Sequence, residues 1–88
     1  MLDRDLTPVP PTISTPVDQH VGRRIRGKRR ALGLSEENLA AELGVEAVQI
    51  AAYERAAERV PSDHLLRLSQ ILDVPLSYFF PARPFATP

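Results

Sequence analysis

Two glycines, Gly33 and Gly44, cut the middle of this chain into helical segments too short to stand alone, and no other feature limits its fold as strongly. Between them, "LSEENLAAEL" puts Leu39, Ala40 and Leu43 on one helical face, with Ser35 as N-cap and Gly44 as the stop. That predicts a helix of about two turns, whereas an isolated helix needs roughly 12–15 residues to be even marginal in water. Such a segment survives only inside a packed set of helices.

The rest of the chain supplies that set. A first helix is expected from about Val17 to Leu32, with Val21, Ile25 and Leu32 on one face and Gly33 as its stop. A third, roughly Glu46 to Arg55, turns Val45, Ile50 and Tyr53 inward. Ser62 is expected to cap a fourth through Leu65, Leu66, Leu68, Ile71 and Leu72, and Pro75 to start a short fifth, "LSYFF". No stretch sustains the alternation of a strand, so the fold class is all-α: a compact five-helix domain. Helices two and three, joined across "LGVE", have the lengths and the tight turn of a helix-turn-helix.

The expected domain spans residues 18–80. Before it, residues 1–17 carry Pro8, Pro10, Pro11 and Pro16 among Thr, Ser and Asp, which reads as a flexible proline-rich arm. After it, residues 81–88 read as a short flexible tail. There is no cysteine, so no disulfide supplements the core and a reducing compartment suits the chain. No apolar run approaches the roughly 18 residues of a membrane span, and the N-terminus lacks a basic-then-apolar signal; the expected location is the cytoplasm.

Formal net charge is zero, which argues against coating nucleic acid by bulk charge. The charge is nonetheless segregated: "RRIRGKRR" holds six basic residues between Arg23 and Arg30, while Glu36 to Glu46 holds four acidic and no basic ones. Catalysis would require a nucleophile with a positioned base or a carboxylate pair in a pocket. Here the acidic residues fall on short solvated helices and the two histidines, His20 and His64, are far apart, so no enzyme and no metal or other cofactor is expected.

From Val21 to Phe80 the chain resembles the Cro/C1-type helix-turn-helix family, the lambda-repressor-like fold of phage repressors and small bacterial regulators. The resemblance rests on "GRRIRGKRRALGLSEENLAAELGV", Ile50, "YER", "RV" and "LLRLSQILDVPLSYFF", in the family's order and spacing. The loop "YERAAERV" is most similar to a subgroup in which it reads Tyr-Glu-Lys-Gly-x-Asn-Arg-Val. What the resemblance implies is a regulator of transcription, homodimeric on double-stranded DNA, that lays its third helix in the major groove.

This chain departs from the family on the side that would face DNA. The usual glutamine opening the second helix is Glu36, and the usual Ser or Thr opening the third is Glu46. Base-reading positions fall on Ala47, Val48, Gln49, Ala51 and Ala52, of which only Gln49 keeps an amide. Short apolar side chains cannot make the bidentate hydrogen bonds that tell base pairs apart, so direct readout is expected to be weak. The loop glycine is Ala56, which must either adopt a left-handed conformation or shift the loop, and the usual asparagine is Glu58.

Candidate phosphate contacts are Arg24, Arg26, Lys28, Arg29, Arg55 and Arg59. Arg29 aligns with a family arginine that typically pairs with the glutamate found here at Glu54, so a structural ion pair is its leading role. Two functions from different classes follow. One is a DNA-binding transcription regulator with weakened base readout. The other is a degenerate helix-turn-helix subunit whose smooth third helix docks on a protein, such as another transcription factor or RNA polymerase, that supplies the specificity.

Overall fold

A computed structural model describes residues 15–81; residues 1–14 and 82–88, with most of the expected arm and tail, lie outside the described residues. Four α-helices and a closing 3-10 turn follow in order: α1 (Pro16–Ala31), α2 (Glu36–Leu43), α3 (Ala47–Glu54), α4 (Ser62–Leu72) and η1 (Leu76–Phe79). The all-α class stands, but the fifth expected helix is a single 3-10 turn of four residues. Pro75 is its N-cap and Phe80 already runs extended, so the chain has no room for a second turn there.

Helix α1 begins one residue before the expected start, because Thr15 and Asp18 form a capping box: each side chain accepts from the other's backbone N–H, at 3.1 Å. Pro16 takes the first helical position, where its missing N–H costs nothing. Pro16 and Val17, expected in the arm, thus form the first turn of the helix that Thr15 caps. Ser35 and Asn38 repeat the box at α2. At α4 the expected cap is displaced: the Pro61 carbonyl accepts the first helical bond from Leu65 at 2.9 Å, which makes Pro61 the cap and Ser62 the first helical residue.

Gly33 and Gly44 have φ of 74° and 85°, the left-handed region that lets the chain leave α1 and α2 sharply. Those turns bring all four helices onto one core, in which Ile25, Leu39, Ile50, Leu68, Leu72 and Phe79 are fully buried. Val21, Ala40, Leu43, Tyr53 and Leu65 complete it. Helix α3 packs against both α2 and α1, while α4 and η1 close the far side against α1 and α2.

The approach of α1 to α3 is unusually close at Gly22. A Cβ there would lie 2.6 Å from the carbonyl oxygens of both Tyr53 and Glu54. Only glycine lets α1 touch the backbone at the end of α3, which seats α3 at a fixed depth. Beside that contact, the buried Arg29 guanidinium donates from Nε and Nη2 to the two Glu54 carboxylate oxygens at 2.6 and 3.1 Å, and from Nη1 to the Leu34 carbonyl at 2.8 Å. The hydrogen bond with Glu54 comes first among the influences that raise the Arg29 pKa above its ordinary value. With side chains 11% and 4% exposed, the pair ties α1, α3 and the α1–α2 turn together where water cannot compete.

Candidate nucleic-acid interface

Once Ile50, Tyr53 and Glu54 are turned to the core, the opposite side of α3 must face solvent, since neighbours on a helix are about 100° apart. Val48 is 70% exposed there, with Glu46 and Arg55 exposed at the two ends and Ala51 half-buried between them. Ala47 is also half-buried, leaning on the core. Glu46 is the N-cap of α3 but makes no capping hydrogen bond with its side chain.

Ala52 does not belong to this face. It is only 9% exposed, which overturns its place among the base-facing positions. The cause is the loop: Ala56 takes the left-handed conformation with φ of 60°, and the chain folds back so that Ala57 N–H donates to the Ala52 carbonyl at 2.9 Å and Ala56 N–H to that of Tyr53 at 3.1 Å. A turn built for glycine is made here by alanine, and its return covers Ala52.

The basic run on α1 is divided between two flanks. Arg26 stands on the flank that meets α3, where it lines an open groove of about 250 Å³ with Glu36, Ala51, Arg55 and the Arg29–Glu54 pair. Arg24 lies on the other flank, its guanidinium 4.6 Å above the Tyr78 ring and its Nε 3.3 Å from His20 Nε2. Lys28, half-buried, falls at roughly the same side of the helix by the 100° rule. The His20 pKa is lowered, by burial first and then by the positive charges of Arg24 and Arg23. Of the six candidate phosphate contacts, Arg29 is drawn into the core pair and Arg24 onto η1, while Arg26 and Arg55 gather beside α3.

Beyond the end of α3, Arg59 is exposed yet tethered, its Nε 3.2 Å from Asp18 Oδ1 on α1. Burial pushes the Asp18 carboxyl up, but hydrogen bonds from Arg59 and Thr15 outweigh it and hold the group below its ordinary pKa. Nearby, Gln49 Nε2 donates to Glu58 Oε1 at 2.7 Å, and the Tyr53 hydroxyl lies 2.9 Å from His64 Nδ1. Burial, and after it the charge of Glu58, raises the Tyr53 pKa.

Sequence reasoning passed over Gly22, Asp18 and Glu58 as partners. Asp18 carries a readable signal, Thr15-Pro16-x-Asp18, the spacing of a capping box with proline at the first turn. Gly22 and Glu58 have none, because what they touch is set by the packing of α1 and the return of the loop. Among the described residues no three His, Asp or Glu side chains gather to hold a metal ion, and no helix is long and apolar enough to cross a membrane.

A helix-turn-helix family model matches residues 25–79. An uncharacterized HTH-type transcriptional regulator of Sinorhizobium medicae is 48% identical over 69 residues, covering 78% of this chain and 50% of that protein. An uncharacterized transcriptional regulator in the ATPase CF(0) region of Rhodospirillum rubrum is 45% identical over 64 residues, 73% of this chain and 59% of that protein. The chain thus spans roughly half the length of these curated relatives. Among solved structures, the restriction-modification controller protein C.AhdI of Aeromonas hydrophila superposes with a TM-score of 0.67 at 32% identity, covering 70% of this chain and 94% of that one. The P22 c2 repressor, solved with a synthetic operator, gives a TM-score of 0.67 at 30% identity over 72% of this chain and 96% of that one. Short helices turned at Gly33 and Gly44, a third helix seated by Gly22 and Glu54, and a family match across most of the folded residues lead to one conclusion: the chain belongs to the Cro/C1-type helix-turn-helix family.

Proposed function

We propose that this chain is the DNA-binding part of a cytoplasmic transcription regulator that acts as a homodimer, inserts α3 into the major groove and reads bases weakly. The observation that carries the reading is the outer face of α3. Val48 stands 70% exposed on a helix whose other side is pinned to the core, with Arg26 and Arg55 beside it. A helix that is rigidly seated and bare on one side, rimmed by guanidinium groups, suits a groove with phosphates along both edges. Arg26, Arg55 and Arg59 take the phosphates, Gln49 supplies the hydrogen-bonded readout, and Ala47, Val48 and Ala51 offer only methyl contact. The relatives named as transcriptional regulators and the repressor solved with its operator support the same reading.

The test is titration on sites recovered from genome-wide occupancy mapping. Three arginine–phosphate contacts per protomer in a dimer predict a log–log salt slope of about −5. A slope near zero, or occupancy without a shared motif, defeats the proposal. The second reading, a helix-turn-helix subunit that docks on a protein, is favoured by the apolar character of Val48, Ala47 and Ala51. It predicts that Val48→Glu abolishes capture of the partner while salt has little effect.

A further inference from the structure

The bond between Gln49 and Glu58 has a consequence for which base α3 prefers. Gln49 sits on α3 and Glu58 in the loop that follows, nine residues on, brought together by the left-handed turn at Ala56 and the return of the chain over Ala52. Gln49 Nε2 donates to Glu58 Oε1 at 2.7 Å. A carboxamide can in principle flip, exchanging its oxygen and nitrogen. Opposite an ionised carboxylate it cannot, because the flip would press Oε1 against a negative oxygen and forfeit the hydrogen bond. Tyr53 belongs to the same group of side chains: a hydrogen bond with Gln49 and the charge of Glu58 both act on its hydroxyl.

We propose that Glu58 is a positioning residue that fixes the polarity of the Gln49 carboxamide, so that α3 selects adenine over guanine at one position of each half-site. The inference rests on the DNA-binding reading above. With its two N–H groups turned to Glu58 and the Tyr53 hydroxyl, Gln49 offers Oε1 to the DNA. Adenine presents its N6 amine as a donor to that oxygen, whereas guanine presents O6 there, an acceptor that would meet the Gln49 oxygen. An unconstrained amide relaxes this choice by rotating away. The exposed loop glutamate, which at first sight only repels DNA, therefore restores part of the readout that the alanines of α3 gave up.

Affinity and selectivity should then move in opposite directions. Glu58→Ala removes a negative charge from the DNA side, so the full chain should bind all DNA several-fold more tightly. At the same time its adenine-over-guanine preference in selection from random duplexes should fall by about tenfold at one position per half-site. Glu58→Gln should lie between, since a neutral amide can face Gln49 either way. Gln49→Ala should lose the preference outright, with no further loss in the double variant, and replacing the selected adenine by purine, which lacks the N6 amine, should weaken only chains that retain Gln49. Melting temperatures identify any variant with a damaged fold, and a charge-only role would shift affinity without moving the base ratio. An unchanged ratio in Glu58→Ala, from a chain that still selects a motif, overturns the positioning role alone. If the unaltered chain selects no motif at all, the DNA-binding reading and this inference fall together.

Discussion

The two sides of α3 are built under different constraints. Inward, Ile50, Tyr53 and Glu54 meet fixed partners: the core, His64 and the Arg29 fork, with the α1 backbone pressed against the helix end at Gly22. Outward, Val48 and Arg55 are exposed and Ala51 is half-buried beside the groove that Arg26 lines. Changes on the inner side should cost folding free energy, because close-packed interiors lose contacts or gain clashes with every altered atom. Changes on the outer side should leave the fold intact and alter only what binds there. A scaffold of this kind can therefore stay the same while the outer face of α3 is rewritten.

The largest effect that could break this division is expected at Glu54. Glu54→Gln leaves the buried Arg29 charge without its partner, which commonly costs about 3 kcal/mol or more. Thermal or urea unfolding checks it, and Arg29→Met with Glu54→Leu should recover much of the loss. A loss under about 1 kcal/mol would mean the pair behaves as a surface bridge. Next comes Gly22→Ala, which puts a methyl 2.6 Å from two backbone oxygens that cannot rotate aside. Forcing α1 from α3 should cost about 2 kcal/mol, against a small gain in helix propensity. If DNA binding survives with unchanged affinity, the depth of α3 matters less than its outer residues.

On the outer side, Glu36→Gln with Glu46→Thr should leave the melting temperature within about 2 °C while tightening binding to any DNA several-fold, since two like charges leave the phosphates. Titration on scrambled duplexes at two salt concentrations reads this directly. A matching loss of stability would show that these glutamates serve α2 and α3 through their helix dipoles instead. The smallest effect sharpens the boundary between the sides. Ala56→Gly relieves the left-handed strain at φ of 60° but removes a methyl that is only 4% exposed, so a gain of at most about 1 kcal/mol is expected. A net loss would show that the buried methyl outweighs the strain.

Much of the scaffold was legible because its signals are local. Ser35, Gly33 and Gly44 mark helix ends through their own backbone preferences, and Val21, Ile25, Leu39, Leu43 and Ile50 recur at helical spacing. The pairing of Arg29 with Glu54 came from the family resemblance. No local rule joins two residues 25 positions apart. The candidate site was legible only in outline. The family resemblance put Ala52 among the base-facing positions, whereas in this chain Ala52 is buried where the loop after α3 returns to its carbonyl. The basic run likewise looked uniform along α1 until the packing of η1 and α3 divided Arg24 from Arg26.

The sequence by itself determined the all-α class, the short helices with their glycine turns and the poverty of polar side chains on α3, because each depends on the identity and spacing of neighbouring residues. Tertiary structure decided the rest: that Glu58 returns to hold Gln49, that Asp18 reaches Arg59 across 41 residues, and that Gly22 sets how deeply α3 sits. Those contacts depend on where a turn sends the chain and how closely two helices approach. A turn such as that at Ala56, where strain and burial oppose each other at about 1 kcal/mol, is resolved only when the whole core closes around it.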